Sequence, residues 1–219
     1  MVVPDAFFIF LPSKIYSPLQ ENQWHMDFKP EEINLLIASR RSFKPELFSS
    51  REVEKHIIEQ MLENANWAPT HGLTQPWRFT VFSGDGRGKL AEFQSELYKN
   101  ATPSEKFAPE KYEKLKRTPL NASHVIGIGM KRQESEKIPE IEEVEAVACA
   151  VQNMYLTARA YGVGALWGTG GVTYFEEAKE FFGLGPKDKF LGFLYVGYPK
   201  VEWPKGMRKT INERVRWVE

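Results

Sequence analysis

Apolar residues recur at helical spacing from Pro30 onward. Ile33, Leu36 and Ile37 follow one another, with Arg40 closing the run. Pro30 suits the first helical position, and Glu31 and Glu32 stand at the positive end of the helix dipole. A second helix is predicted on Val53, Ile57, Ile58, Met61, Leu62 and Ala65. Ser49 and Glu52 read as its capping box, and Pro69 ends it. Phe79 and Val81 mark a strand stopped by Ser83-Gly84-Asp85-Gly86. Leu90, Phe93 and Leu97 mark a third helix. Residues 100–120 are charged and carry three prolines, which predicts an exposed excursion with one short helix.

Val125–Met130 is a short apolar strand. A long helix runs from about Pro139 to Tyr161 and stops at Gly162. Its small, apolar stretch from Ala146 to Ala150 predicts a central helix buried on more than one side, with Cys149 buried in it. Val163–Trp167 is a further strand. Thr173 and Glu176 read as a second capping box, opening a helix that ends at Gly183 or Gly185. Phe190–Val196 is the last strand, and the tail 200–219 is basic at first and amphipathic later. About four strands and six helices without strict alternation predict an α+β fold rather than a doubly wound sheet. Residues 1–25, punctuated by Pro4, Pro12 and Pro18, show no helical period. They read as an appendage, or as an arm that packs on a partner subunit, with the main domain at 26–219.

Composition narrows the function classes. The chain has 219 residues, with Lys+Arg and Asp+Glu both at 29. Zero formal charge argues against a general electrostatic grip on nucleic acid or an anionic membrane and leaves a local basic patch open. The run Ala6–Leu11 is too short to span a bilayer. One cysteine, Cys149, excludes an internal disulfide and a cysteine-cluster metal site and suits a reducing, cytoplasmic setting.

Three clusters carry candidate chemistry. Arg40, Arg41 and Ser42, with Lys44 close by, offer two guanidinium forks and a hydroxyl, a set that binds phosphate. Arginine at a helix end also serves the dipole, so both readings stand. The loop Ala68-Pro69-Thr70-His71-Gly72-Leu73-Thr74-Gln75-Pro76-Trp77 carries an imidazole, hydroxyls and an amide between a helix and a strand. It is either a ligand loop or a turn with Trp77 filling the core. His71 has no second histidine or carboxylate at ligand spacing, so no metal is expected. The third cluster is Gly164–Gly171, containing Trp167, Gly168 and Thr169. Its glycines admit close approach of an anion or a planar ring, yet it matches neither the dinucleotide fingerprint nor a Walker A loop.

Taken in order, these pieces resemble the flavin-dependent nitroreductase family. The resemblance rests on Arg40-Arg41-Ser42, the Ala68-Pro69-Thr70-His71 loop running into Gln75-Pro76-Trp77, and the Ala-rich helix from Ala146. It continues through Gly162, Gly164, Trp167, Gly168 and Thr169, the strand Gly192–Pro199, and the tail from Arg208 to Trp217. It implies a central, mainly antiparallel sheet flanked by helices in an intertwined homodimer with two FMN sites at the subunit interface. By that likeness Arg40, Arg41, Ser42 and Arg208 hold the phosphate and ribityl chain, and Lys44 reaches the flavin's polar edge. Pro69, Thr70 and His71 approach the ring from the other subunit, and Trp167, Gly168 and Thr169 line its opposite side. Many members carry Asn where this chain has Leu73, and the His71 form resembles a smaller subgroup. The flavin carries the chemistry, so no catalytic side chain is expected. The implied activity is NAD(P)H-dependent reduction of a small-molecule acceptor, with nitroaromatics and quinones the usual class. Alternatives are an FMN storage protein with little turnover, or a superfamily flavoenzyme with another reductive chemistry.

Overall fold

A computed structural model describes residues 28–219. The expectation for residues 1–25 lies outside the described residues. Four strands form one antiparallel sheet: β1 (Trp77–Phe82), β2 (His124–Met130), β3 (Gly164–Gly168) and β4 (Lys189–Gly197), in the order β1-β2-β4-β3. Among the described residues six α-helices surround it: α1 (Pro30–Ser39), α2 (Lys55–Asn66), α3 (Gly86–Ala101), α4 (Pro109–Arg117), α5 (Glu140–Ala160) and the single turn α6 (Ala178–Phe181). The α+β fold is as the pattern predicts.

Side-chain alternation along β2 and β4 divides the core in two. Ile126, Ile128, Met130, Leu194 and Val196 pack with α2 and α5 on one face. Val125, Phe193 and Tyr195 belong to the other cluster, with Leu90 and Tyr98 of α3 and Leu115 of α4. Helix α5 opens with Glu140, Glu142 and Glu143 in its first turn. It closes through Gly162 at φ 69°, where Val163 donates to the Ala158 carbonyl at 2.8 Å.

Four expectations are corrected. Helix α2 starts at Lys55, and Ser49 caps nothing. The Ser49 N–H is taken by the Tyr198 carbonyl at 2.8 Å and the Val53 N–H by Ser123 Oγ at 2.7 Å, which ties this segment to the sheet instead. Thr173 likewise opens no helix: its hydroxyl donates to the Gly170 carbonyl, and α6 begins only at Ala178. The excursion at 100–120 holds the predicted short helix, yet it is not simply exposed, because Leu115 and Pro119 are buried against the domain. Within this chain α5 buries one face only. Ala146, Val147 and Ala150 point inward, whereas Cys149 is exposed on the outer face.

Candidate functional site

The site grows from the edge of the sheet. After α1 the chain runs extended along β3: Ser42 bridges Ala165, and the Phe43 N–H donates to the Ala165 carbonyl at 3.0 Å. Phe43 is buried, so its neighbours Ser42 and Lys44 face outward, as alternation requires. On the other side of β3, a bulge in β4 sets the position of the β3 end. The β2–β4 register shifts between Ile128 and Gly129, leaving Leu191 without a ladder partner. The Leu191 carbonyl accepts the Trp167 indole N–H at 2.8 Å. Gly192, at φ 111°, lets the Gly168 carbonyl approach so closely that a Cβ there would lie 2.4 Å from its oxygen. Tyr155 of α5 adds a third restraint, its hydroxyl accepting the Trp167 backbone N–H at 2.5 Å.

The result is a cavity of about 930 Å³, near the top of the roughly 300–1,000 Å³ range of small-molecule sites. Ser42 and Lys44 line it, as do Leu166, Gly168, Gly170 and Gly171 around the end of β3. From the other layer come Gln94 of α3, Lys111, Lys114 and Leu115 of α4, and Tyr195 of β4. Among the described residues none of Lys44, Lys111 and Lys114 is in an ion pair. Gln94 is 1% exposed and its Nε2 donates to nothing among the described residues. Burial pushes the Tyr195 phenol far above its ordinary range, so it stays a neutral donor. The donor set fits an anionic, acceptor-rich ligand, and among the described residues Glu46 is the one carboxylate on the lining.

Of the residues singled out in the sequence, the fold brings Ser42, Lys44 and Gly168 together on this cavity. Arg40 lies over the Tyr155 ring at 5.2 Å. The Arg41 guanidinium is committed to backbone carbonyls: Ala38 at 2.8 Å, Arg40 at 2.6 Å and Pro204 at 3.0 Å. Trp167 packs on the α2–α5 core, Thr169 is exposed beside Gly168, and Arg208 is exposed with its guanidinium on the Met207 carbonyl. Pro69, Thr70 and His71 stand apart from the cavity of their own chain. His71 Nδ1 meets Glu142 Oε2 at 2.6 Å at the start of α5, and Thr70 Oγ1 lies 3.0 Å from Thr74 Oγ1. That loop is wound through positive φ at Gly72, Leu73 and Gln75, and Trp77 behind it fills the core. Among the described residues no group of three His, Cys, Asp or Glu is placed to hold a metal ion, and no helix is long and apolar enough to cross a membrane.

Gln94, Lys111, Lys114 and Tyr195 are among the lining residues that escaped the sequence reading. Gln94 carried the clearest signal, a polar residue one turn beyond Leu90 on the apolar face of α3. Lys111 and Lys114 sat in the charged excursion without a partner element to orient them. Tyr195 was hidden in an apolar strand.

The pattern described as "Nitroreductase family" matches residues 37–198. A curated relative, "Putative NAD(P)H nitroreductase YdjA" of Escherichia coli strain K12, is 31% identical over 76% of this chain and 88% of its own length. Among solved structures, a nitroreductase-like family protein from Bacillus cereus aligns with a TM-score of 0.74 and 29% identity, covering 85% of this chain and 96% of that one. The FMN-dependent nitroreductase NfnB from Mycobacterium smegmatis, solved in complex with NADPH, shares the fold with a TM-score of 0.66 at 18% identity, covering 86% and 99%.

Proposed function

The chain belongs to the nitroreductase family, and from that premise we propose that it is an FMN-dependent oxidoreductase drawing on NADH or NADPH and reducing a small organic acceptor such as a nitroaromatic or quinone. The observation that carries the reading is the cavity at the end of β3, where Ser42, Lys44 and the β3 glycines form one wall. The donors there suit the group: a hydroxyl and an ammonium without an ion-pair partner, beside glycines whose side-chain space is open at Gly170. When bound, FMN supplies the hydride and electron transfer itself. The protein's part is to bind, orient and exclude water. Ser42 and Lys44 would hold the polar portion of the cofactor, and the Gly168–Gly170 turn would offer side-chain-free backbone to its ring. Arg40, two residues before Ser42, and Arg208 of the tail are assigned to the phosphate. NAD(P)H and the acceptor use the same cleft in turn, so no acid–base triad is needed.

The second subunit completes the site. Helix α1 buries no residue, and its Ile33, Leu35 and Ile37 are exposed; exposed Trp67 and Tyr161 line one groove with Leu36, and Ile141 is exposed at the opposite end of α5. An apolar surface of that extent suits a homodimer interface along α1 and α5. It would carry the Pro69–His71 loop to the partner's flavin. A cytoplasmic setting and no membrane or nucleic-acid partner agree with the balanced charge. The test is a visible spectrum of the purified protein followed by anaerobic NADH or NADPH. A yellow protein whose flavin bleaches rapidly is expected. A colourless protein that refuses added FMN would sink the reading, and a flavin that resists reduction would make it a storage protein.

A further inference from the structure

We propose that the α3–α4 side of the cavity selects acceptors that carry a carboxylate, with Lys111 and Lys114 as specificity-determining residues. This rests on the flavin reading above. Ser42, Lys44 and the end of β3 are assigned to the cofactor, which leaves a second set of donors on different elements. At the inner end stand Gln94, with its unpartnered Nε2, and the buried Tyr195 phenol. Both are neutral hydrogen-bond donors. At the rim stand Lys111 and Lys114, one helical turn apart on α4 and both exposed. Lys111 lies over the Tyr98 ring at 4.5 Å, which orients its ammonium while leaving N–H groups free to donate. Neither lysine has a carboxylate partner among the described residues. Between rim and floor, Leu115 and Leu166 supply apolar surface.

This gradient fits a flat molecule with uncharged oxygens at one end and an anion at the other. The reducible nitro or quinone oxygens face Gln94 and Tyr195, and the carboxylate meets the two ammonium groups in charge-assisted hydrogen bonds. An uncharged acceptor of the same shape forgoes those charge-assisted bonds, and the two exposed ammonium groups stay hydrated instead. For a nitro acceptor the two-electron step balances as R–NO2 + NAD(P)H + H⁺ giving R–NO + NAD(P)⁺ + H2O. The hydride pair leaves the nicotinamide, one N–O bond breaks, and its oxygen departs as water.

The experiment compares 4-nitrobenzoate with the nearly isosteric, neutral 4-nitrobenzamide on the FMN-loaded protein. Equilibrium binding is read by calorimetry without NAD(P)H, and turnover is read separately as KM and kcat. The wild type is expected to bind the carboxylate at least about tenfold more tightly, the worth of one charge-assisted bond. In Lys111→Gln/Lys114→Gln that preference should collapse toward unity, through KM rather than kcat, while flavin content stays at the wild-type level. Equal binding of the two compounds by the wild type overturns the proposal without any variant. Loss of FMN from the double variant overturns it as well, since the lysines would then hold the cofactor phosphate. A wild type that takes up no flavin defeats the underlying functional reading, a result distinct from a flavoprotein that is reduced yet does not discriminate.

Discussion

Gly192 is the position through which the sheet shapes the site, and alanine there measures how much depends on it. A φ of 111° is strained for any residue with a side chain, at about 1–3 kcal/mol. A Cβ would also stand 2.4 Å from the Gly168 carbonyl oxygen and 3.3 Å from Thr169 Cα. Both are backbone atoms and cannot swing aside as a side-chain end does, so overpacking adds about 1–3 kcal/mol. The sum is roughly 2–6 kcal/mol, or a fall in Tm of about 5–20 °C for a chain of this length. Two other glycines separate these contributions. Gly183 has φ 65° with open space around its Cβ position, so Gly183→Ala carries the backbone strain alone. Gly88, in α3, has open space and no positive φ, so Gly88→Ala should gain roughly 0.5–1 kcal/mol. Thermal unfolding by circular dichroism should rank Gly192→Ala lowest, Gly183→Ala next, then wild type, then Gly88→Ala. Only Gly192→Ala should also weaken FMN, read by fluorescence quenching, because it displaces Gly168 on the cavity lining. If Gly192→Ala melts with Gly183→Ala and binds FMN like wild type, the close approach does not position the site.

The two adjacent arginines should separate in the same assays. Arg40→Lys should keep most apoprotein stability and bind FMN about ten- to a hundred-fold less tightly, since the fork to the phosphate is lost. Arg41→Lys should do the reverse, lowering apoprotein Tm through its three carbonyl bonds; wild-type Tm in Arg41→Lys would show those bonds to be idle. Acid stability is the third case. The Tyr198 hydroxyl donates to Glu54 Oε2 at 2.7 Å, and with Arg51 it lowers the Glu54 carboxyl from 4.5 to about 2. A depressed carboxylate stabilises the fold above the unfolded value of 4.5, and the contribution is lost as pH falls from there toward about 2. Tyr198→Phe should therefore be less stable than wild type at neutral pH, with the gap closing across that window in urea titrations; a gap that stays constant with pH would refute the assignment.

The sequence was most legible where local pattern and tertiary context agree. The apolar strand Val125–Met130 and the helix 139–161 need no distant partner to be recognised, and both stand within a residue or so of their observed bounds. Both capping boxes failed for one reason. Their backbone donors or hydroxyls found better partners elsewhere: Tyr198 and Ser123 for the segment before α2, and the Gly170 carbonyl for Thr173. At the site, Ser42, Lys44 and Gly168 were legible because one stretch of chain or one strand end carries each of them. Gln94, Lys111, Lys114 and Tyr195 come from three further elements, and only the packing of α3 and α4 over the sheet brings them to one cavity.

The Arg40–Arg41 pair shows how the fold divides a motif that is uniform in sequence. At the end of α1 the Ser39 carbonyl accepts the Trp203 indole N–H at 2.6 Å, and the Ser39 hydroxyl accepts Arg159 Nε at 2.8 Å. The Arg159 guanidinium lies over the Trp203 ring at 4.2 Å, and Phe43 meets the same ring edge-on at 4.7 Å. Arg41 extends this junction to Pro204, and a Cβ on Gly206 would overlap its guanidinium. The C-terminal segment is thus fastened to the residues that precede Ser42, two positions before Arg208. In this chain Arg41, a helix-end arginine that looks like a phosphate ligand, gives its Nε and Nη1 to fixing where the tail begins. Its neighbour, stacked on Tyr155 of α5, keeps a planar fork whose donors are not consumed by the backbone among the described residues. Adjacent residues of the same type can therefore serve opposite ends of the problem, one directing the tail and the other remaining available to an anion.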